Sequence, residues 1–267
     1  MSGRLWIAWL PDGKRLHLRH GPVDLILQAF GRPGDIARAY DAAIARTRLF
    51  DAELQDAESP VLQRIAAALA PIRTIYALPS EAAAAGAVAD EVLQAMCEAG
   101  RLDRAFVNNR HMVALHLGPG QSFAGAVVDR PGAAVYDPRW VVRARSSVRG
   151  VAASPIAGGP RLGLAEIVKV VSVSATAAQI AAMMIAAATD LPEHPGLVHL
   201  PAHRLDAQTA LGDWPVLAEA GAVVAADLAQ AMAAGEAMVQ RLYAAGLISG
   251  ARMQLLGQAR NVTAAIM

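Results

Sequence analysis

Twenty consecutive residues, Val170 to Thr189, carry no charge. A window of that length either crosses a bilayer or must be wrapped by the rest of the chain. Its content separates the two: Ala, Ser, Thr and Gln outnumber Val, Ile and Met, and so weak a hydropathy inserts poorly into lipid. Alanine lets neighbouring helices approach closely, so a strand over Leu164–Val173 and an internal helix over Ala175–Ala188 are expected. The composition points the same way. Charged residues are 18% and hydrophobic residues 55%, against ~25% charged in an average soluble protein, which implies extensive burial, a subunit interface included.

The 267 residues suggest one large domain or two small ones, with ample length for a hydrophobic core. Lys plus Arg is 24 and Asp plus Glu 23, a net charge of +1, so the chain offers no general field for nucleic acid. One cysteine excludes an internal disulfide and any Cys-based zinc or iron–sulfur cluster. Met1 to Trp6 lacks the apolar stretch and cleavage site of a secretory signal. A cytoplasmic protein is expected, with no membrane segment.

Two strands, Leu5–Leu10 and Arg15–Leu18, flank Pro11-Asp12-Gly13, a turn in which Pro fixes φ and Gly accepts a positive one. His20-Gly21-Pro22 reads as a break before the apolar run Val23–Leu27. Helical spacing runs from Asp35 to about Glu58, and Ser59-Pro60 opens a helix that Pro71 should stop. Ser80 caps a helix through Glu98, ended by Gly100. Short strands are expected at Ala105–Val107, Val113–Leu117, Phe123–Val128 and Trp140–Arg145. After a Pro- and His-rich connection, Leu191–Trp214, come a helix at Ala225–Ala245 and a strand at Leu247–Leu256. Strand meanders between long helices imply an α+β class, helices packed on one face of a mainly antiparallel sheet. The alanine-rich helices at 80–98 and 175–188 hint at two related halves of a single domain over residues 1–267.

Several residues could carry chemistry. His194, His199 and His203 could hold a catalytic zinc, or could be a loop without metal, since only 199 and 203 have helical ligand spacing. His20, beside Gly21-Pro22, is either an exposed ligand contact or ordinary turn packing. Ala157 to Gly163 could bring backbone amides and the Arg161 guanidinium to a phosphate, or make a tight turn. Asn108-Asn109 at a strand end suits the edge of a heterocycle, or an Asx turn. Cys97, in a helix, is expected to act as a small hydrophobe.

Segments spread over the chain resemble one family, an uncharacterised group related to the ApbE-like flavin transferases. They are His20-Gly21-Pro22-Val23-Asp24-Leu25-Ile26, the stretch Ala85 to Leu93, Ala105-Phe106-Val107-Asn108-Asn109 and Ala114 to Gly120. Leu162-Gly163-Leu164-Ala165-Glu166, Asp190 to Pro195, Leu211-Gly212-Asp213 and Gly246 to Ala251 continue it in order. The resemblance implies an ApbE-like fold that binds a flavin nucleotide and magnesium. It also implies a link to one-carbon pterin metabolism. The family pattern differs at the places that matter for chemistry: Arg110-His111-Met112 stands where it has Gly-Gly-Asp, Pro79-Ser80-Glu81 where it has Thr-Pro-Met, and Glu166 where it has Asp. FMN transfer itself is therefore not expected.

What the resemblance implies instead is a diverged protein binding a flavin-, pterin- or nucleotide-like small molecule. His20 and His111 are the candidate acid and base. Asp24, Asn108, Asn109, Arg110 and Arg161 are candidate ligand contacts, and Glu166 a candidate magnesium ligand. The rival expectation is a non-catalytic subunit of a homo- or hetero-oligomer.

Overall fold

Alternation in the strands sets the architecture. The computed structural model describes residues 4–75, 77–126, 136–154, 159–255 and 257–262. Strand β1 (Trp6–Trp9) turns through Pro11-Asp12-Gly13 into β2 (Leu16–His20), the turn held by Asp12 Oδ1 accepting from the amides of Lys14 and Arg15. His20 pairs directly with Val23 of β3 (Val23–Gly31). What reads as a break at Gly21-Pro22 is therefore a two-residue hairpin turn, with Gly21 at φ +55°.

The long helix expected to reach Glu58 is shorter. Helix α1 (Pro33–Thr47) stops where Thr47 turns its hydroxyl back on the Ala43 carbonyl at 2.7 Å. A single turn, α2 (Phe50–Glu53), then drives Phe50 fully into the core. Ser59 caps α3 (Pro60–Leu69) by accepting from the Leu62 amide. Pro71 does not end the helical path at once, because Ala70–Ile72 continues as a 3₁₀ turn. A second such turn, Ser80–Ala83, precedes α4 (Ala84–Ala99), and the Ser80 side chain makes no cap.

Two strands, β4 (Leu102–Asn109) and β5 (Met112–Leu117), form a tight hairpin, followed by a separate hairpin of β6 (Ser122–Ala126) and β7 (Tyr136–Arg143). The last two positions of the strand expected at Phe123–Val128 lie outside the described residues. The chain continues through β8 (Gly150–Ser154), β9 (Ile167–Ser172) and α5 (Ala175–Ala188). A small hairpin of β10 (Leu197–Pro201) and β11 (Pro215–Ala220) follows, then α6 (Ala225–Ala244), β12 (Ile248–Leu255) and β13 (Gln258–Val262).

Among the described residues nine strands make one sheet in the order β1-β2-β3-β4-β5-β8-β9-β12-β13, every pair antiparallel. The protein is α+β. The helices gather on one face. On β3 that face presents Val23, Leu25, Leu27 and Ala29, all buried, while Asp24, Ile26, Gln28 and Phe30 point the other way, to what is called below the open face. A second, smaller core forms on the open face, where Leu115, Val151 and Val171 meet Phe123 and Val142 of the β6–β7 hairpin.

The uncharged window of the sequence is the middle of the molecule. Twelve of the 14 residues of α5 are buried, and no helix among the described residues is long and apolar enough to cross a membrane. Small residues let α5 in. A Cβ on Gly86 of α4 would stand 2.6 Å from the Ala175 carbonyl oxygen, and one on Gly150 of β8 would stand 1.9 Å from the Ser174 carbonyl carbon. Gln179 of α5 spends its amide on the gap, accepting from the Gly86 amide at 2.6 Å and donating to the Ala82 carbonyl at 2.8 Å. Asp90 of α4 accepts from the amides of Ala175 and Thr176 and from the Thr176 hydroxyl. It thereby takes up donors that the first turn of α5 leaves free.

Candidate functional site at the β4–β5 turn

Asn108 and Asn109 end β4, and alternation sends them to opposite faces. Asn109 joins the helix side: it is buried, donates from Nδ2 to the Ala85 carbonyl at 3.0 Å and accepts at Oδ1 from the Asp24 amide at 3.3 Å. Both ends of its amide are used, so it ties α4 to the strand hairpins. Asn108 is on the open face, between Ile26 of β3 and Val113 of β5. Its Oδ1 is buried and has no hydrogen-bond partner. An orphaned buried acceptor of this kind costs about 1–3 kcal/mol.

Around Asn108 lies a polar corner. Asp24 is the diagonal neighbour of Asn108 across the β3–β4 pairing, about 7–8 Å away by sheet geometry. Its Oδ1 lies 2.6 Å from His17 Nε2, and Arg19 Nε is 3.9 Å from its Oδ2. The His17 ring takes the Trp6 ring edge-on, centroids 4.9 Å apart, and Trp6 is 49% exposed. Beyond Asn109 the chain turns at Arg110 and His111. Arg110 holds φ +60°, the one non-glycine residue with positive φ among the described residues, and its side chain is exposed. A left-handed backbone there costs an L residue roughly 1–2 kcal/mol. The His111 carbonyl accepts from the Ala153 amide of β8 at 3.2 Å, which ties the turn to the sheet.

The other expected site residues lie elsewhere. His20 follows Leu16 and Leu18 toward the helices and is 6% exposed, so it is no exposed turn residue. Its Nε2 is 3.1 Å from Asp51 Oδ2, an ion-pair distance, although neither ring nitrogen makes an aligned hydrogen bond. Arg161 faces β11: its carbonyl accepts from the Leu217 amide, and its Nη2 donates to the Leu164 carbonyl at 3.1 Å. Ala157 and Gly158, at the start of the glycine-rich run, lie outside the described residues. Glu166 precedes β9, three strands across from Asn108 and five residues along, some ~14 Å by ~17 Å at ordinary sheet spacings. Its exposed carboxylate accepts from Gln254 Nε2 and the Gly257 amide. The structure thus gathers Asp24, Asn108, Arg110 and His111, puts Asn109 and His20 beneath them on the helix side, and sets Arg161 and Glu166 apart.

Among the described residues no three His, Cys, Asp or Glu side chains come together as a metal site. His194, His199 and His203 each pair with a different carboxylate, Asp227, Asp190 and Asp213. A shared zinc is thereby replaced by three separate contacts. Glu166 belongs to no such group of three among the described residues. Burial, with the Glu98 charge adding, pushes the Cys97 thiol up to about 11, which suits a packing residue rather than a nucleophile.

His17 and Trp6 belong to the corner although neither is singled out by the sequence. The signal for His17 is the hairpin register: once Gly21-Pro22 is read as a two-residue turn, His17 and Asp24 fall on one face.

A family model matches residues 7–261, from the first strand of the sheet to the last. The chain belongs to the family described as AbpE bacteria. No curated protein and no solved structure matches it. Apart from Trp6, the corner of this AbpE bacteria chain lies within the matched span.

Proposed function

We propose that the chain binds a flat, hydrogen-bonding heterocycle of flavin, pterin or nucleotide type on the open face, at the corner of Trp6, His17, Asp24, Asn108 and the Arg110–His111 turn. The observation that carries the reading is the buried, unpartnered Oδ1 of Asn108. A ring N–H donating to it would satisfy an acceptor that the fold leaves orphaned, and amide groups read such edges well. The half-exposed Trp6 offers a flat surface to stack on. Arg110, whose strained backbone aims a guanidinium outward from the turn, supplies positive charge for a phosphate or carboxylate on the same ligand. A role in cofactor metabolism, one-carbon pterin chemistry included, fits such a ligand. In that reading His111 at the turn, or His17 held by Asp24, is the acid or base. Magnesium has no part in it, because Glu166 lies too far from the corner.

Titration calorimetry of the whole chain with FMN, FAD, a tetrahydropterin and ADP tests the proposal. At least one is expected to bind in the micromolar range, and Asn108→Leu is expected to weaken it about tenfold, the worth of one hydrogen bond to a buried acceptor. No binding by any of them at about 1 mM, or an unchanged affinity in Asn108→Leu, overturns it.

A second reading is association with another subunit, and edge strand β1 favours it. Ile7 and Trp9 are 41% and 54% exposed there, beside a backbone edge that no described strand pairs. Light scattering tests it: a dimer that Trp9→Lys dissociates supports the reading, and a monomer at high concentration removes it.

A further inference from the structure

We propose that a groove on the helical layer, away from the sheet's open face, binds short apolar peptides by both of their free, charged termini. The groove encloses about 390 Å³ between α3 and the 3₁₀ turn that precedes α4, a volume within the range of small-ligand sites. Its floor is one apolar stripe of α3, formed by Leu62, Ile65 and Leu69 at helical spacing. Arg73, Ser80 and Glu81 stand at its rim.

The two rim charges decide the class of occupant. Arg73 and Glu81 are exposed and both line the groove, yet they form no ion pair with each other or with any described residue. Two other arginines behave differently: Arg46 of α1 pairs with Glu53 and Glu91, and Arg64 of α3 with Glu91. An anionic amphiphile would answer Arg73 and leave Glu81 unmatched, and a wholly apolar ligand would leave both charges unmatched. A zwitterion answers both. Its carboxylate takes the Arg73 fork bidentately, its ammonium takes the Glu81 carboxylate, and its apolar side chains cover Leu62 and Leu69. The Ser80 hydroxyl is a further donor or acceptor at the rim.

Titration of the whole chain with trileucine, its N-acetylated form and its C-amidated form is the test. Trileucine is expected to bind with a dissociation constant of about 1 mM or tighter, and each blocked end to weaken it about tenfold. Arg73→Gln should bind free and amidated peptide alike while still discriminating against acetylation, and Glu81→Gln should do the reverse. Neither side chain holds the fold, so both variants should keep the wild-type unfolding midpoint. Absence of binding at about 10 mM, equal binding of free and doubly blocked peptide, or discrimination that survives in both variants would overturn the assignment.

Discussion

Asn108 and Asn109 are neighbours in the chain and face opposite sides of one sheet, and the two sides treat the same functional group differently. On the helix side most polar side chains that enter are put to use, the His20 ring, 3.1 Å from Asp51 but without an aligned hydrogen bond, being an exception. Asn109 spends both ends of its amide, Gln179 bridges to Ala82 and Gly86, and Asp90 takes three donors. On the open face Asn108 keeps a buried oxygen unmatched, and Arg110 holds a backbone conformation that glycine would hold without cost. The amide networks that hold helices to strands lie on one side, and the asparagine oxygen left unmatched lies on the other. This division is what a folded scaffold with a ligand face requires.

Several variants would break or sharpen that contrast. Asp90→Ala should be the most damaging, at about 3 kcal/mol in urea unfolding, because two amides at the start of α5 and the Thr176 hydroxyl lose a buried acceptor. Gly86→Ala should cost about 2 kcal/mol, since the added methyl meets the Ala175 carbonyl oxygen at 2.6 Å and must push α4 from α5. A smaller loss, about 1–2 kcal/mol at neutral pH, is expected for Glu91→Gln, which leaves Arg46 with Glu53 alone and Arg64 with Gln94. At the open face, Trp6→Ala should change the unfolding free energy by less than about 0.5 kcal/mol while weakening ligand binding.

Acid titration separates two adjacent carboxylates of α4. Burial pushes the Asp90 carboxyl up, against the hydrogen bonds from Thr176 and Ala175. Glu91 is also penalised by burial, but the hydrogen bonds from Arg46 and Arg64 outweigh it and hold the group below its ordinary value of 4.5. A lowered acid contributes stability that is present above its unfolded value and is lost as pH falls through the folded one. A raised acid contributes stability that is full below its unfolded value and is lost as pH rises through the folded one. Glu91→Gln should therefore show a shallower decline than wild type below about pH 4.5, read as unfolding free energy against pH. An acid limb as steep as that of the wild type would remove Glu91 from the helix-side account.

Much of this fold was legible in the sequence, and the failures have physical causes. Helix α5 runs over Ala175–Ala188 as the uncharged, alanine-rich window implies, and the strands expected at Ala105–Val107 and Val113–Leu117 fall within β4 and β5, β4 extending further at both ends. Strand β8 was invisible because it is buried throughout, so its residues show no alternation to read. Strand β10 hid in the Pro- and His-rich connection, and β11 follows directly after it in a short stretch whose burial does not alternate. At the site, Asn108 stood out as an amide at a strand end. His17 did not, because its partnership with Asp24 follows only from the register of a hairpin taken for a break. His20 misled for the same reason: two residues of alternation decide that it faces the helices. Asp90 carried a signal that went unused, a carboxylate on the alanine-rich helix α4, where only a specific set of donors makes burial tolerable.

Paired urea unfolding of Asn109→Ala and Asn108→Ala bears most directly on the division between the two faces. The first should lose about 2 kcal/mol, because the Ala85 carbonyl and the Asp24 amide are left without partners. The second should change by less than about 0.5 kcal/mol, or gain, because it removes an acceptor that had no donor. Equal losses at the two positions would contradict the account, since the open-face amide would then be part of the framework rather than held for a ligand.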